Sequence, residues 1–291
     1  MKVDKFRTVI IYIIIILLGL VCLLPLLNIV AISFSSSAAV EGNMVGLIPV
    51  GFSTAAYKKI LEDSQFWHSF LISVERVVLA LIINFVLIVL MAYPLSKTNA
   101  QFRGRNIYAN LMIFAMLFNG GMIPTFLVVK SYGLLNTVWA LVLPGAVPIF
   151  NVILVMNFFA AVPKELEEAA FIDGANPLQV LTKIFIPISK PVLATVSLFS
   201  IVGSWNDFYS GLIYMSKAAY YPLMTYIQSL QINVEDLIKQ GNLSAVVDSA
   251  SLGNTNLNAA KIVIAVIPLL LIYPLLQRYF VSGIVVGSVK G

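Results

Sequence analysis

Charge is scarce in this sequence. Of its 291 residues only 11% are charged, whereas 60% are hydrophobic, and the mean hydropathy is +0.96. A soluble domain of this size needs far more charge to cover its surface, so the composition predicts a protein that lies in a lipid bilayer. The net charge of +5 does not indicate a nucleic-acid partner, because the basic residues are scattered in short loops between apolar runs.

Cysteine and histidine are almost absent. With only Cys22 and His68, the sequence nearly excludes a disulfide framework, a multi-ligand metal site and a histidine-based catalytic centre. Cys22 lies in an apolar run and is interpreted as a packing residue, and His68, beside Trp67, as an interfacial one. No G-x-x-x-x-G-K-[ST] motif occurs, so the chain cannot build a P-loop of its own. If ATP drives this protein, the ATPase is another polypeptide. A membrane enzyme is disfavoured because no set of nucleophile and base stands out.

Six apolar runs are long enough to cross a bilayer. A hydrocarbon core about 30 Å thick needs roughly 20 apolar residues at about 1.5 Å per residue. The qualifying runs are 8–34, 69–94, 107–129, 137–161, 191–215 and 260–281. The first run follows three basic residues, as a secretory signal does, but it far exceeds the usual length of about 7–15 apolar residues. We therefore interpret it as a membrane span.

The lysines and arginines predict the orientation of these spans. With the N-terminus inside, eleven Lys and Arg lie in cytoplasmic segments and six in outer segments; "LSKTNAQFRGRN" (95–106) alone carries three bases and no acid. Both termini are therefore predicted to be cytoplasmic. Two outer segments are long, 35–68 and 216–259. The second is either a docking surface for an external partner or a solvated connector, and its length favours the first.

The segment 163–190 is too polar to enter the bilayer. Burying its charged side chains would cost roughly 3 kcal/mol each, which predicts a cytoplasmic loop between the fourth and fifth spans. Its residues predict two short helices. Pro163 suits a first helical position, Gly174 ends the first helix, Asn176 caps the second and Pro177 begins it. We call this segment, 163–190, the elbow.

The elbow also carries a resemblance. "EAAFIDGANPLQVLTKIFIP" (168–187) resembles the EAA signature of ATP-binding-cassette importer permeases, which has Glu-Ala-Ala, a Gly four positions after the second Ala, and a terminal Ile-x-Leu-Pro. The matching residues are Glu168, Ala169, Ala170, Gly174, Ile184 and Pro187. Ile186 replaces the usual Leu, and Pro177-Leu178 stands where an aromatic residue is common.

The resemblance extends over nearly the whole chain. Residues 120–175 and "SWNDFYSGLIYM" (204–215) are similar to the carbohydrate-uptake branch, the permeases like the smaller maltose-transporter membrane subunit. The tail "VVGSVKG" resembles the subgroup associated with complex oligosaccharides such as pectin- or xylan-derived uronides. This resemblance implies an all-α integral membrane protein of six transmembrane helices with the type I ABC importer permease fold, forming a single permease domain over 1–291.

In that family the elbow docks into a cleft of a separate ATPase subunit and transmits its closure to the spans. The coupling residues implied here are Glu167, Glu168, Ala169, Ala170, Asp173, Gly174 and Pro187. The resemblance also implies a bacterial cytoplasmic membrane, a second homologous permease as heterodimer partner, two ATPase subunits, an extracellular solute-binding protein and an oligosaccharide substrate. No cofactor is expected on this chain; ATP and Mg²⁺ are expected on the ATPase subunits.

A substrate pathway is predicted along the fifth span. At helical spacing one face carries Ser197, Ser200, Ser204, Asp207 and Gly211, a stripe that suits either helix packing or a pathway. Asp207 favours the pathway, because an ionisable group in a span usually faces a partner or a wet cavity. The neighbouring side chains that suit sugar rings are Trp205, Asn206, Phe208 and Tyr209.

Glycine and proline interrupt two other spans. "FNGGMIP" (118–124) lies in the third, and "LPGAVPIFN" (143–151), which ends at Asn151, lies in the fourth. Such breaks free backbone groups and occur in helix packing as well as along pathways, where Asn151 is expected to contact substrate. Glu75 and Arg76 point in different directions from the second span and are interpreted as contacts to a partner subunit or to loops, with a direct substrate role as the less favoured alternative.

Two other kinds of transporter remain open. One is a permease of the same superfamily for another solute, such as a polyamine or phosphate. The other is a secondary transporter or channel, which would normally show internal repeats or ionisable relays. Six spans with one intramembrane Asp show neither clearly.

Overall fold

A computed structural model describes residues 5–230 and 255–287 of the chain, with side chains for 7–230 and 255–277. Within these ranges the regular structure is entirely helical. Three helical segments are long and apolar enough to cross a membrane, Arg7–Ser33, Ser64–Leu95 and Thr255–Gln277, and three bent helix pairs bring the number to as many as six. Most of the outer segment predicted at 216–259 lies outside the described residues.

The helices follow one another in a simple order. The long helices are α1 (Lys5–Ser33), α4 (Ser64–Leu95), α12 (Lys190–Asn206) and α14 (Thr255–Gly287). Between them lie α2 (Ser37–Glu41), α3 (Ala55–Glu62), α5 (Arg105–Leu117), α6 (Met122–Ser131), α7 (Val138–Val142), α8 (Ile149–Ala160), α9 (Lys164–Ile172), α10 (Pro177–Val180), α11 (Ile186–Ile188) and α13 (Tyr209–Tyr214). A π-helical turn, Leu181–Phe185, joins α10 to α11, and residues 223–230 are helical.

The third and fourth predicted spans are each broken rather than continuous. α5 and α6 meet at 112°, and α7, extended by a 3₁₀ turn, meets α8 at 47°. At the first break Gly121 has φ +90 and ψ 175, a conformation open only to glycine, and its N–H donates to Asn119 Oδ1 at 2.9 Å. At the second break Pro144 and Pro148 remove backbone donors. The glycines and prolines therefore break these spans where the sequence predicts interruptions.

The prediction of one continuous helix over 191–215 is wrong. α12 ends at Asn206, Asp207 is extended with ψ 102, and α13 begins only at Tyr209. The cause is the side chain of Asp207, whose Oδ1 accepts hydrogen bonds from the N–H groups of Tyr209 and Ser210 at 3.0 and 3.1 Å. An aspartate that binds backbone donors in this way competes with the helix. Asp207 and Gly211 therefore do not continue the serine stripe along α12.

The chain divides into two compact units. The first comprises 1–67 and 226–268, and the second 68–225 and 269–291. In the first unit a partly buried polar cluster joins three segments. Lys261 on α14 lies 2.8 Å from Asp63 Oδ2, and the Tyr226 hydroxyl donates to the same oxygen at 2.9 Å. Burial opposes the ionisation of Asp63, but the hydrogen bonds from Lys261, Phe66 and Tyr226 outweigh it and lower its pKa.

The second unit contains the main core and all of the elbow. Apolar side chains of α4, α8, the elbow and α12 pack together, among them Ile88, Val152, Phe159, Val180, Phe185 and Val196. Residues from the elbow thus belong to the same core as residues from three helices of the bundle. This continuity fixes the elbow to the bundle by close packing, which transmits displacement well because protein interiors are dense.

Candidate coupling elbow and substrate cavity

Local capping chemistry shapes the elbow. Pro163 is the N-cap of α9, one position before the predicted one, and Gly174 follows the C-cap Asp173 with φ +80. Asn176 and Gln179 form a capping box at 2.9 Å in both directions, with Pro177 as the first helical residue. The expected glycine corner, cap and proline start are therefore confirmed, and each lies where a short-range rule places it.

One side of the elbow faces away from the core and is exposed. Glu168, Ala169, Asp173, Gly174 and Pro187 are exposed, and Ala170 is half-buried. Large apolar side chains project beside them; Ile172 is 86% and Leu178 62% exposed. A concavity of about 460 Å³ between α9 and the following turn is lined by Ala170, Asp173, Gly174, Gln179 and Lys183 among others. An exposed apolar patch rimmed by polar groups marks an interaction surface.

Glu167 is buried against the bundle, whereas its neighbour Glu168 is exposed. The Glu167 carboxylate lies 2.7 Å from Lys97 Nζ and accepts a hydrogen bond from the Tyr93 hydroxyl at 3.3 Å. Lys97 Nζ also lies 4.1 Å from the centre of the Tyr93 ring and 4.2 Å from that of Phe185. Burial lowers the pKa of Lys97, although the Glu167 carboxylate acts in the opposite direction. Glu167 therefore contacts its own chain and is not part of the exposed surface.

The break between α12 and α13 is held by Arg76 of α4. Its Nη1 donates to the carbonyl oxygen of Asp207 at 2.8 Å, and its Nη2 pairs with Asp207 Oδ2. Arg76 is 4% exposed. A buried arginine in a span requires such a partner, because an unpaired charge at that depth is costly. Arg76, which the sequence led us to interpret as a contact to a partner subunit or to loops, therefore contacts Asp207 of its own chain.

Arg76 and Asp207 line a polar cavity of about 250 Å³. The polar side chains around it are Arg76, Asn84, Asn151, Ser200, Ser204, Asp207 and Ser210. Its apolar wall includes Leu141, Val142, Pro144, Pro148 and Phe199. Convergent polar groups beside apolar side chains are typical of a small-molecule site.

The cavity brings together only part of the predicted pathway set. Asn151, Ser200, Ser204 and Asp207 line it, whereas Ser197, Asn206 and Tyr209 do not. Trp205 is 4% exposed, and its ring meets that of Phe70 edge-on at 5.6 Å, so it packs in the core and does not present a face to a sugar. It takes the buried side of α12 because it lies one position, or about 100°, from Ser204.

Three polar cavity residues, Arg76, Asn84 and Ser210, lie outside the predicted pathway set. Arg76 had a signal, since a cation within a span marks a functional position. Asn84 and Ser210 had none, because isolated Asn and Ser residues are common in helix packing. The side-chain amide of Asn84 lies 3.2 Å from Ser200 Oγ. When its oxygen accepts from Ser200, its nitrogen donates to the carbonyl oxygens of Gly145 and Ala146, which the α7–α8 break leaves without helical donors.

Comparisons with known proteins identify the family of this chain. The family described as "Binding-protein-dependent transport system inner membrane component" matches residues 48–286. Protein LplC of Bacillus subtilis is 41% identical over 94% of this chain and 91% of its own length. The polygalacturonan/rhamnogalacturonan transport system permease protein YtcP of the same organism is 40% identical over 99% of both.

A solved structure matches the fold. The crystal structure of a bacterial ABC transporter involved in the import of the acidic polysaccharide alginate has a chain with a TM-score of 0.83 and 32% identity, covering 96% of this chain and 98% of that one. The expected multi-pass membrane protein with the type I importer permease fold is thereby confirmed. The chain belongs to the inner membrane components of binding-protein-dependent transport systems, the permease subunits of ATP-binding-cassette importers, and is a transport subunit rather than an enzyme.

Proposed function

We propose that this permease imports oligosaccharides, with a second, homologous permease as its heterodimer partner, two ATPase subunits that hold ATP and Mg²⁺, and an extracellular solute-binding protein. The relatives whose names state a cargo, polygalacturonan/rhamnogalacturonan for one and alginate for another, support a carbohydrate cargo. The observation that carries the coupled mechanism is the elbow, because it combines an exposed docking face with a buried attachment to the bundle.

The exposed side of the elbow is proposed to dock the ATPase, and the buried side to attach the elbow to the bundle. Glu168, Ala169, Asp173 and Gly174 lie on the exposed side, where a cleft of the ATPase is proposed to receive them together with Ala170 and Pro187. Glu167 on the buried side connects α9 to Lys97, just beyond the end of α4. A displacement of the elbow by the ATPase would therefore act on α4, the helix that also carries Arg76 at the cavity.

The proposed orientation places the elbow in the cytoplasm of a bacterial cell, with both termini on the same side. The basic segment 95–106 and the charged elbow support this orientation, because basic segments favour the cytoplasmic side. The ion pair between Lys97 of that segment and Glu167 of the elbow holds the two together. The cavity residues Asn151, Ser200, Ser204 and Asp207 are proposed to contact substrate. Ser197, Asn206 and Tyr209 are proposed to line the path outside this cavity.

The test compares two substitutions at Gly174 in the complete assembly, reconstituted in proteoliposomes with its binding protein. Gly174 has φ +80 and open space at its Cβ position, so backbone strain alone opposes a side chain there. Valine adopts this conformation at a cost of about 1 kcal/mol or more, whereas asparagine tolerates it. We expect Gly174→Val to lose binding-protein-stimulated ATP hydrolysis and oligosaccharide uptake, and Gly174→Asn to retain most of both.

A charge reversal at Glu168 tests the docking face separately. Because Glu168 is exposed and outside the lipid, Glu168→Lys should still pair with the other permease but retain the ATPase poorly on purification. Stimulated hydrolysis at the wild-type level in both Gly174→Val and Glu168→Lys would show that the elbow is only a connector. Stimulation by a polyamine or phosphate binding protein alone would overturn the carbohydrate assignment.

A further inference from the structure

An apolar groove of about 430 Å³ lies between α4, α5 and the start of α8, apart from the polar cavity. We call it the α4–α5 groove. Every residue that lines it is apolar or aromatic, among them Leu90, Leu95, Tyr108, Leu111, Ala115 and Ile149. On α5 the lining residues Tyr108, Leu111 and Ala115 are exposed, so the groove is open along that helix.

The groove has the length of one leaflet of the bilayer. α4 ends at Leu95 and α5 begins at Arg105, so this end of the groove lies at the membrane surface. From Arg105 to Ala115 α5 rises about 15 Å, which is half of a hydrocarbon core about 30 Å thick. Ile149, at the middle of the predicted span 137–161, also lines the groove. The groove therefore extends from the membrane surface to mid-bilayer, as one acyl chain does.

Two arginines lie at the surface end of the groove. Arg105 Nε donates to the carbonyl oxygen of the lining residue Leu95 at 2.9 Å, and its Nη1 donates to Asn106 Oδ1 at 3.2 Å. A guanidinium has five N–H donors, so these two bonds leave donors of Arg105 for a ligand. Arg103, beside the lining residue Phe102, is exposed. Neither arginine forms an ion pair within the part of the chain that the structure describes.

No acidic residue neutralises this end of the groove locally. The segment 95–106 carries three bases and no acid, and its Lys97 is already paired with Glu167. α5 has no acidic residue in its first turn, and its N-cap, Gly104, has no side chain to cap it. The positive end of the α5 dipole therefore adds to the charge of the two arginines. An anion at the membrane surface would be stabilised here.

We propose that the α4–α5 groove binds one anionic phospholipid, with an acyl chain along the groove and the phosphate at Arg103 and Arg105. Basic pockets between spans bind anionic lipid headgroups, and the planar fork of arginine matches a phosphate. A helix of the second permease would cover the apolar wall but would need an acid at the level of the arginines. A phospholipid supplies both parts in one molecule. The inference concerns the membrane and is independent of the cargo.

The test titrates the complete assembly, purified in detergent, with phosphatidylglycerol or phosphatidylcholine of identical acyl chains, and measures bound lipid by native mass spectrometry. We expect the wild type to bind phosphatidylglycerol more tightly. Arg103→Gln/Arg105→Gln should weaken the binding of phosphatidylglycerol about fivefold for each arginine and leave that of phosphatidylcholine unchanged. Arg103→Lys/Arg105→Lys keeps both charges but loses the Nε bond to Leu95, and should keep most of the preference.

A second variant tests the groove with both arginines intact. In Ala115→Phe the ring would occupy the position of the acyl chain, so the affinity for phosphatidylglycerol should fall although no charge changes. Lys58→Gln/Lys59→Gln, at two exposed lysines of α3, removes the same net charge elsewhere and should leave lipid binding unchanged. Inorganic phosphate should not displace the lipid, because it makes no use of the apolar groove.

The contrary outcomes are distinct. Equal affinity of the wild type for the two lipids, or equal loss in the glutamine and lysine double variants, would overturn the headgroup site. Unchanged affinity in Ala115→Phe, or displacement by inorganic phosphate, would show that the groove holds no acyl chain and would also overturn the proposal. The titration needs neither cargo nor binding protein, so its result does not depend on the proposed oligosaccharide import.

Discussion

At the scale of single residues, neighbours in sequence have opposite environments. Glu167 is buried against Lys97, whereas Glu168 is exposed, and Trp205 is buried whereas Asn206 is exposed. The reason is geometric, since successive helical residues point about 100° apart. A short motif therefore supplies both an attachment and a docking face. Which residue does which depends on the rotation of the helix against its neighbours.

Among the glycines that the structure describes, an added Cβ would meet its nearest neighbour at Gly211 on α13. A Cβ there would lie 2.1 Å from Thr225 Oγ1, which donates to the carbonyl oxygen of Phe208 at 2.8 Å and so cannot turn away without losing that bond. We expect Gly211→Ala to lower the free energy of unfolding by about 1–3 kcal/mol, the usual cost of overpacking. Thermal unfolding of the purified complex measures it. Gly19→Ala, in open space on α1, is the control and should not destabilise; equal melting of both variants would contradict the packing.

At the scale of elements, the ion pair between Lys97 and Glu167 joins the elbow to the end of α4, beside two aromatic rings. Lys97 and Glu167 are 12% and 10% exposed, and the rings of Tyr93 and Phe185 flank the lysine. Removing one partner of a pair buried to this degree leaves an uncompensated charge. The pair therefore fixes the position of the elbow on the bundle, in addition to the apolar contacts of Val180 and Phe185.

A double-mutant cycle tests this attachment. We expect Lys97→Gln and Glu167→Gln each to lower the free energy of unfolding by about 3 kcal/mol, and the double variant to lose less than the sum, because it leaves no unpaired charge. Stimulated ATP hydrolysis should fall more in the single variants than in the double one. Lys164→Gln, at an exposed lysine of α9, is the control. Strict additivity would show that the two side chains do not interact.

At the scale of the whole molecule, the orientation is open to direct labelling. In a chain whose native Cys22 has been replaced, single cysteines at Asn99 and Ile172 should resist an impermeant thiol reagent in intact cells, since 95–106 and the elbow are predicted to be cytoplasmic. Both should react in permeabilised cells that lack the ATPase subunits, which are proposed to cover the elbow. A cysteine at Glu62, in the outer segment 35–68, should react at once. All three positions are exposed in the structure. Labelling of Asn99 or Ile172 in intact cells would reverse the orientation.

The sequence by itself determined the membrane class, the approximate positions of the spans and the form of the elbow. These follow from composition and from contacts over a few residues, such as the capping of α10 by Asn176 and the glycine corner at Gly174. The breaks near Gly121 and Pro144 also followed from local backbone chemistry, although their angles did not.

Only the tertiary structure decided which polar residues meet. Arg76 and Asp207 are 131 residues apart in sequence, and Lys97 and Glu167 are 70 apart. Sequence spacing predicts a face of one helix, but a partner on another helix depends on how the helices rotate and approach, which the packing of the entire core sets. Asp207 also ends its own helix by accepting hydrogen bonds from the N–H groups of Tyr209 and Ser210. It therefore leaves the predicted stripe and pairs directly with Arg76 at the cavity wall.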